Sequence, residues 1–391
     1  MRRLAARAHA LFDKSPGERL AELVRDIDTL LGRRRAPPVI RSSPPRLATA
    51  PSSRWLTVRE VIRETADAVS LVFAPDLEPW RAGQFLTVHV PTAQGTLRRA
   101  YSLCTVASDP RGPAIAVKRI PGGRASTHLV EHARPGMRLE VRGPSGQFTL
   151  PERVGAAPRS LLLVGGGSGI TPLIALAEEA LASGDEVAFL YGNRAREDII
   201  FAARLEGLTV ASRGRLRVRH VLERPPSDWH GGVGRLDPAT ALAELGALTT
   251  RPPDVVMSCG PEPMMAAVRD ACRALALADR LREERFISLG EQRARELPTT
   301  PQRLRYHLGG RVHEVLARPG TTLLEAGLAA GLAMPSSCTM GGCGACRVRA
   351  RGELVHDTPN ALDADEQAAG YAFACIARPL GPCDIEVGEP S

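Results

Sequence analysis

The chain has 391 residues, 43% hydrophobic and 24% charged, which is enough for two or three domains that each bury a core. It holds no apolar run of the roughly 18 residues a membrane-spanning helix needs, and its basic start, Met1-Arg2-Arg3-Leu4, has no apolar segment behind it. Neither a transmembrane span nor a secretory signal is therefore expected. The net charge of +8 sits mostly in residues 1–54, with twelve basic and five acidic side chains, so a basic nucleic-acid-binding surface spread over the body is not expected.

In chain order, residues 15–31 predict a helix. Ser15 is suited to the N-cap, Pro16 to the first helical position, and Glu18 completes a capping box. Leu20, Leu23, Val24, Ile27, Leu30 and Leu31 follow the helical period. A Pro/Ser/Ala-rich stretch, 36–53, follows. Residues 1–54 thus read as a basic arm that packs on the body or a partner, with a membrane-surface role as the sharper alternative.

From 55 to 152, short strand-like runs (Leu56–Ile62, Ser70–Phe73, Phe85–Val90, Ala114–Lys118, Arg138–Val141) alternate with Pro and Gly. They predict a small antiparallel barrel. From 158 to 291, strands at Leu161–Val164, Val187–Tyr191, Leu216–Leu222 and Val255–Ser258 alternate with helical stretches, which predicts a doubly wound parallel α/β sheet. Residues 292–302 read as a polar linker and 303–391 as a third domain.

The sharpest motif is in that third domain. Cys338, Cys343 and Cys346 are spaced x4 and x2, and Cys375 follows at a distance. This is the plant-type 2Fe–2S ligand pattern. One loop must wrap a cluster and bring its own N–H groups near the sulfurs, and Gly341, Gly342, Gly344 and Ala345 permit that approach. Zinc, the alternative, usually takes paired knuckles or Cys/His mixtures. The other four cysteines are scattered, which fits a cytoplasmic protein whose thiols do metal chemistry rather than form disulfides.

Two further constellations lie upstream. Arg99-Ala100-Tyr101-Ser102 follows a predicted strand. It offers a guanidinium for a flavin phosphate, a ring to lie against the isoalloxazine and a hydroxyl for its nitrogen edge. Lys118 and the Gly122–Ser126 segment, with Gly123 and Ser126, can hold a pyrophosphate. Then Leu161–Val164 runs into Gly165-Gly166-Gly167-Ser168-Gly169-Ile170-Thr171-Pro172, a turn whose glycines admit a phosphate beside a helix N-terminus. Arg194 and Arg196, after the next strand, favour the 2′-phosphate of NADPH, while Glu197 and Asp198 keep NADH open. Cys259, Gly260 and Pro261 turn the chain where a nicotinamide would lie, and Glu284 and Phe286 are placed to reach the flavin.

This order of motifs resembles the ferredoxin–NADP⁺ reductase superfamily with a C-terminal 2Fe–2S domain. It is similar above all to reductase components of phenylacetyl-CoA epoxidase and of hydroxylases and desaturases. Tyr191-Gly192-Asn193-Arg194, Glu284-Arg285-Phe286 and Asp365–Tyr371 carry the likeness as well. It covers about residues 55–391. The resemblance implies a β-grasp-like ferredoxin domain, and it implies FAD, a 2Fe–2S cluster and NADPH or NADH as cofactors. It also implies electron delivery to a terminal oxygenase, hydroxylase or desaturase, with Ser102, Cys259 and Glu284 as candidate catalytic residues. A peripheral contact with a membrane-bound acceptor stays open. An FMN- and NADH-dependent reductase of the phthalate dioxygenase type is one alternative, and a redox-sensing nucleotide-binding regulator is another. Residues 303–391 hold eight basic and ten acidic side chains, which suggests an acidic docking face.

Overall fold

The structure, a computed structural model, describes residues 53–388 apart from 93–94, 154, 249–250, 287–296, 337–338, 340, 342–343, 357–361 and 363. The predicted arm helix over 15–31 lies outside the described residues, as do Cys338 and Cys343.

The first sheet contains β1 (Arg54–Thr65), β2 (Ala68–Phe73), β3 (Phe85–Thr92), β4 (Gly95–Ser102), β5 (Ala114–Lys118) and β6 (Arg138–Ser145). Its order is β4-β3-β6-β1-β2-β5, and all the pairings are antiparallel. Leu103, just past β4, bridges Ile115 in β5, so the two edges meet and the sheet curls closed. Alternation supplies the core: Leu86, Val88, Val90, Leu139 and Val141 all point inward and are buried. Helix α1 (Arg124–His132) adds Ala125 and Leu129 to it.

The barrel adds to one expectation. Arg99–Ser102 follows the predicted strand, now β3, and itself forms the end of a further strand, β4. The sequence Gly-Thr-Leu-Arg-Arg-Ala-Tyr-Ser has no apolar alternation to announce a strand. Its extended form comes from pairing with β3, from Phe85 opposite Ser102 to Thr92 opposite Gly95.

The second sheet is parallel throughout. It contains β7 (Ser160–Gly166), β8 (Glu186–Asn193), β9 (Leu216–Leu222), β10 (Gly232–Val233), β11 (Val255–Cys259) and β12 (Leu281–Glu284), in the order β10-β9-β8-β7-β11-β12. Helices α2 (Ile170–Ala182), α3 (Ala202–Ala211), α4 (Pro238–Leu248) and α5 (Glu262–Ala274) cover it. The pleat of β7 serves both faces. Leu161 and Leu163 pack with α2, while Leu162 and Val164 pack with Ala241 and Leu245 of α4 and Met265 and Val268 of α5. The α2 side is continuous with barrel residues Ala82, Cys104, Phe148 and Leu150, so barrel and parallel sheet share an apolar seam. Beside it, fully buried Asp185 takes ion pairs from Arg153 (2.5 Å) and Arg159 (2.7 Å), which tie the connecting segment to the sheet.

The third unit has β13 (Gln302–Leu308), β14 (Arg311–Ala317), α6 (Leu323–Ala329), β15 (Arg347–Arg351), β16 (Leu354–His356), α7 (Ala364–Ala368), β17 (Tyr371–Phe373), β18 (Ala377–Pro379) and β19 (Cys383–Glu386). Five strands make a mixed sheet in the order β14-β13-β19-β15-β17, and β16 pairs with β18. Thr322 caps α6 in a full capping box with Glu325, and Leu323 and Leu324 dock the helix on the sheet.

Candidate functional site

A cleft of about 810 Å³ lies between the barrel and the carboxyl ends of the parallel strands, where ligands bind open α/β sheets. Lys118 to Gly122 line its barrel side. Gly166, Gly167, Ser168, Gly192, Asn193, Arg194, Gly260, Pro261 and Met264 line the sheet side, with Phe286 at the margin. The predicted Lys118, Gly166, Gly167, Arg194, Gly260, Pro261 and Phe286 are thus brought together.

The β7–α2 turn is built for close approach. Gly167 has φ +51°, and the Tyr191 hydroxyl donates to its carbonyl at 2.9 Å. A Cβ on Gly166 would lie 2.7 Å from Met264 Sδ, and one on Gly169 would lie 2.0 Å from the Cys259 carbonyl oxygen. Gly169 and Thr171 do not line the cleft. Gly169 lets the turn press on the end of β11, and the Thr171 hydroxyl donates back to the Ser168 carbonyl at 3.0 Å. Asn193 is buried beside the cleft with its carboxamide next to the Tyr191 hydroxyl, and among the described residues its nitrogen and oxygen meet no partner at full hydrogen-bond geometry. An unsatisfied buried amide at the rim of a phosphate turn fits a nucleotide that would satisfy it.

The predicted pair Arg194 and Arg196 separates. Arg194 lines the cleft and pairs with Asp198 (3.2 Å) and Asp67 (3.5 Å). Arg196 is turned away, held by Asp228 at 2.9 Å and stacked 5.5 Å from the Trp229 ring centroid. Arg235 lines the cleft, with Glu223 3.2 Å from its Nε. Sequence reasoning missed both of these. A Gly-Arg-Leu stretch after a two-residue strand carries no signal until β10 is paired with β9.

Three chain-distant residues converge at the carboxyl ends of β11 and β12. β12 sets Glu284 beside Cys259 on β11 in parallel register, and the Ser102 hydroxyl at the end of β4 donates to Glu284 Oε2 at 3.3 Å. Burial pushes the Glu284 carboxyl up to about 8, against a smaller downward pull from that hydrogen bond. Burial, reinforced by the Glu284 charge, raises the thiol of fully buried Cys259 well above its usual range.

On β4, Leu97 and Tyr101 pack on the barrel core, and Arg99 shares their parity. Burial lowers the Arg99 pKa, and Arg124 at the start of α1 adds to the lowering as a neighbouring cation. Among the described residues Arg99 has no carboxylate partner; its Nη1 donates to the Arg98 carbonyl at 2.7 Å. A half-buried guanidinium with a second cation near it and no carboxylate at Arg99 fits a pyrophosphate. Arg124 is therefore a further candidate that the motif reading passed over. Ser126, predicted as a pyrophosphate contact, uses its hydroxyl locally: it donates to the Gly123 carbonyl (3.0 Å) and accepts from Ile120 N (3.3 Å). Gly123 permits this, since a Cβ there would fall 2.5 Å from Ser126 Oγ.

Of the predicted iron ligands, Cys346 and Cys375 are described and buried. The Ala374 N–H donates to the Cys346 carbonyl at 2.9 Å, joining the loop to the β17 segment. The Gly341 N–H donates to Cys375 Sγ at 3.3 Å. A backbone donor already aimed at a cysteine sulfur fits a thiolate that ligates iron. A Cβ on Gly341 would meet Ile376 Cδ1 at 2.5 Å, so this approach depends on glycine. On the outer face of the third unit's sheet, Arg303, Arg305, Arg347, Arg349 and Arg351 are all exposed, so the domain's acidic balance is not carried there.

Residues 60–150 match the oxidoreductase FAD-binding domain family, 163–270 the oxidoreductase NAD-binding domain family and 307–380 the 2Fe–2S iron–sulfur cluster binding domain family. The chain is 37% identical over 348 residues to the ferredoxin reductase component of 3-ketosteroid-9-alpha-monooxygenase from Mycobacterium tuberculosis, covering 83% of this chain and 92% of that protein. It is 34% identical over 339 residues to one of the subunits of 1,2-phenylacetyl-CoA epoxidase from Escherichia coli K12, covering 83% of this chain and 94% of that subunit. Among solved structures, phthalate dioxygenase reductase superposes with a TM-score of 0.59 at 28% identity, covering 86% of this chain and 98% of that one. The chain belongs to the family of reductases that join an FAD-binding barrel, an NAD-binding domain and a C-terminal 2Fe–2S domain.

Proposed function

We propose that this member of the reductase family takes electrons from NAD(P)H and delivers them singly, through its ferredoxin domain, to a terminal oxygenase or hydroxylase. The observation that carries this reading is the cleft in which the phosphate turn of β7, the Gly260-Pro261 turn and the barrel segment from Lys118 to Gly122 face one another. When bound, FAD accepts a hydride and gives up electrons one at a time, and the 2Fe–2S cluster accepts single electrons.

The chain's own residues position those groups. The Gly165–Gly169 turn and Asn193 hold the nucleotide, with Arg194, Glu223 and Arg235 around its adenosine end. Arg99 and Arg124 hold the flavin pyrophosphate, and Tyr101 and Ser102 hold the ring. Ser102 and Glu284, hydrogen-bonded to each other beside Cys259, keep a proton between a hydroxyl and a carboxyl. Cys346 and Cys375, with Cys338 and Cys343, hold the iron. Three functional bodies, 55–152, 158–291 and 303–391, follow an N-terminal arm over 1–54; the spans of the three family matches support this division.

A cytoplasmic location is part of the proposal. Among the described residues no helix is long and apolar enough to cross a membrane, and Cys104, Cys259, Cys272 and Cys383 are in no disulfide. The reading is tested by anaerobic titration of the purified protein with NADPH and NADH. Flavin bleaching followed by loss of the iron–sulfur absorbance is expected. In Cys375→Ser the flavin still bleaches and the slower one-electron phase is lost. A protein that binds the coenzymes without reduction of either chromophore is a regulator, and the proposal fails.

A further inference from the structure

The outer face of β4 touches the cluster loop. Arg98 Nη1 donates to Thr339 Oγ1 at 3.4 Å, a contact between residues 241 apart in sequence. Each partner is notable for its neighbours. Arg98 precedes Arg99 and shares a strand with Tyr101 and Ser102, and the pleat turns it away from the barrel core. Thr339 sits between Cys338 and Met340 with φ +56°, a left-handed conformation that a branched residue adopts only when its surroundings impose it. Among the described residues Arg98 has no carboxylate partner, although His89, directly opposite it on β3, is paired with Glu140 at 3.2 Å. An exposed guanidinium aimed at one loop, with no acid of its own, is matched to an anion on that loop.

We propose that Arg98 is a positioning residue that docks the iron–sulfur loop on the flavin strand, and that its charge favours the reduced cluster. This rests on the reading of Cys338, Cys343, Cys346 and Cys375 as iron ligands. A 2Fe–2S centre held by four thiolates is anionic and gains further negative charge when it takes an electron. A nearby cation therefore stabilises the reduced form more than the oxidised one. The hydrogen bond does a second job, because it fixes the loop at one distance from the strand that carries the flavin contacts.

The test compares Arg98→Gln and Arg98→Lys in the full holoprotein. The midpoint potential of the cluster is read by electron paramagnetic resonance during redox titration, and the flavin and cluster phases are followed by stopped flow. The signal of the unaltered protein establishes separately whether the cluster exists; without it the ligand assignment fails, not this inference alone. Arg98→Gln is expected to shift the reduction equilibrium about five-fold toward the oxidised cluster, which is about 40 mV for a one-electron couple. It should slow the cluster phase several-fold and leave flavin reduction by NAD(P)H unchanged. Arg98→Lys keeps the charge and should hold the potential near that of the parent. Equal potentials and equal cluster rates in Arg98→Gln and the parent would overturn the proposal. So would a potential in Arg98→Lys as low as in Arg98→Gln.

Discussion

Replacing Glu284 by Gln should remove a pH dependence that burial builds into the fold. The carboxyl ordinarily titrates near 4.5, and in the folded protein burial holds it near 8. Over the interval between, the folded protein keeps a proton that the unfolded chain has lost. The stability tied to this group is therefore full below about pH 4.5 and is lost as the pH rises toward 8. At 1.36 kcal/mol per pH unit the complete effect approaches about 4–5 kcal/mol. Glu284 as a whole is only partly covered, and water reaching it screens the effect, so about 2–3 kcal/mol between pH 5 and 8 is expected. The assay is urea denaturation of both proteins at half-unit pH steps, read as the difference between them. The parent should lose stability relative to Glu284→Gln as the pH climbs, and the variant should be the more stable protein at pH 8. Parallel profiles, or a difference that grows in the opposite sense, would refute the reasoning.

Gly169→Ala places a methyl 2.0 Å from the Cys259 carbonyl, although the local backbone (φ −63°, ψ −11°) suits any residue. Overpacking of about 1–3 kcal/mol, visible as a lower melting temperature, should accompany a raised KM for NAD(P)H as the turn moves off β11. Coenzyme choice should follow the residues in the cleft rather than those in the motif. Arg235→Ala lowers and Glu223→Gln raises the NADPH-to-NADH ratio of kcat/KM by about three- to ten-fold, from about 1 kcal/mol of charge interaction. Arg196→Ala leaves that ratio unchanged; a large effect of Arg196→Ala would place the adenosine end elsewhere. Asp185→Ala strands Arg153 and Arg159 against a buried site and should cost about 3–5 kcal/mol in denaturant titration. A loss under 1 kcal/mol would mean the pair is solvated.

Chemistry that is local along the chain was legible before any folding is considered. Cys338-x4-Cys343-x2-Cys346 and Gly165–Pro172 are short motifs whose spacing suits what they would wrap, so their residues point to a ligand from the sequence alone. The strands β5 and β9 were legible to the residue, β5 as a short apolar run and β9 from Leu216 and Val218 alternating with Arg217 and Arg219 before the apolar end Val221-Leu222. The polar edge strand β4 was not legible, since its conformation is fixed by the hydrogen bonds of β3 and not by its own side chains. Function that depends on long-range convergence emerges only when the chain is folded. Ser102 and Glu284 lie 182 residues apart and Arg98 and Thr339 lie 241 apart, and no spacing rule relates them. The same holds for charge. Arg194 and Arg196 read alike in sequence, but the 3-10 turn at Arg196–Asp198 and the contact with Asp228 hand Arg196 to the surface. The pairing of β10 on β9 brings Arg235 to the cleft. A guanidinium acts only where its side chain ends, and that is set by packing rather than by position along the chain.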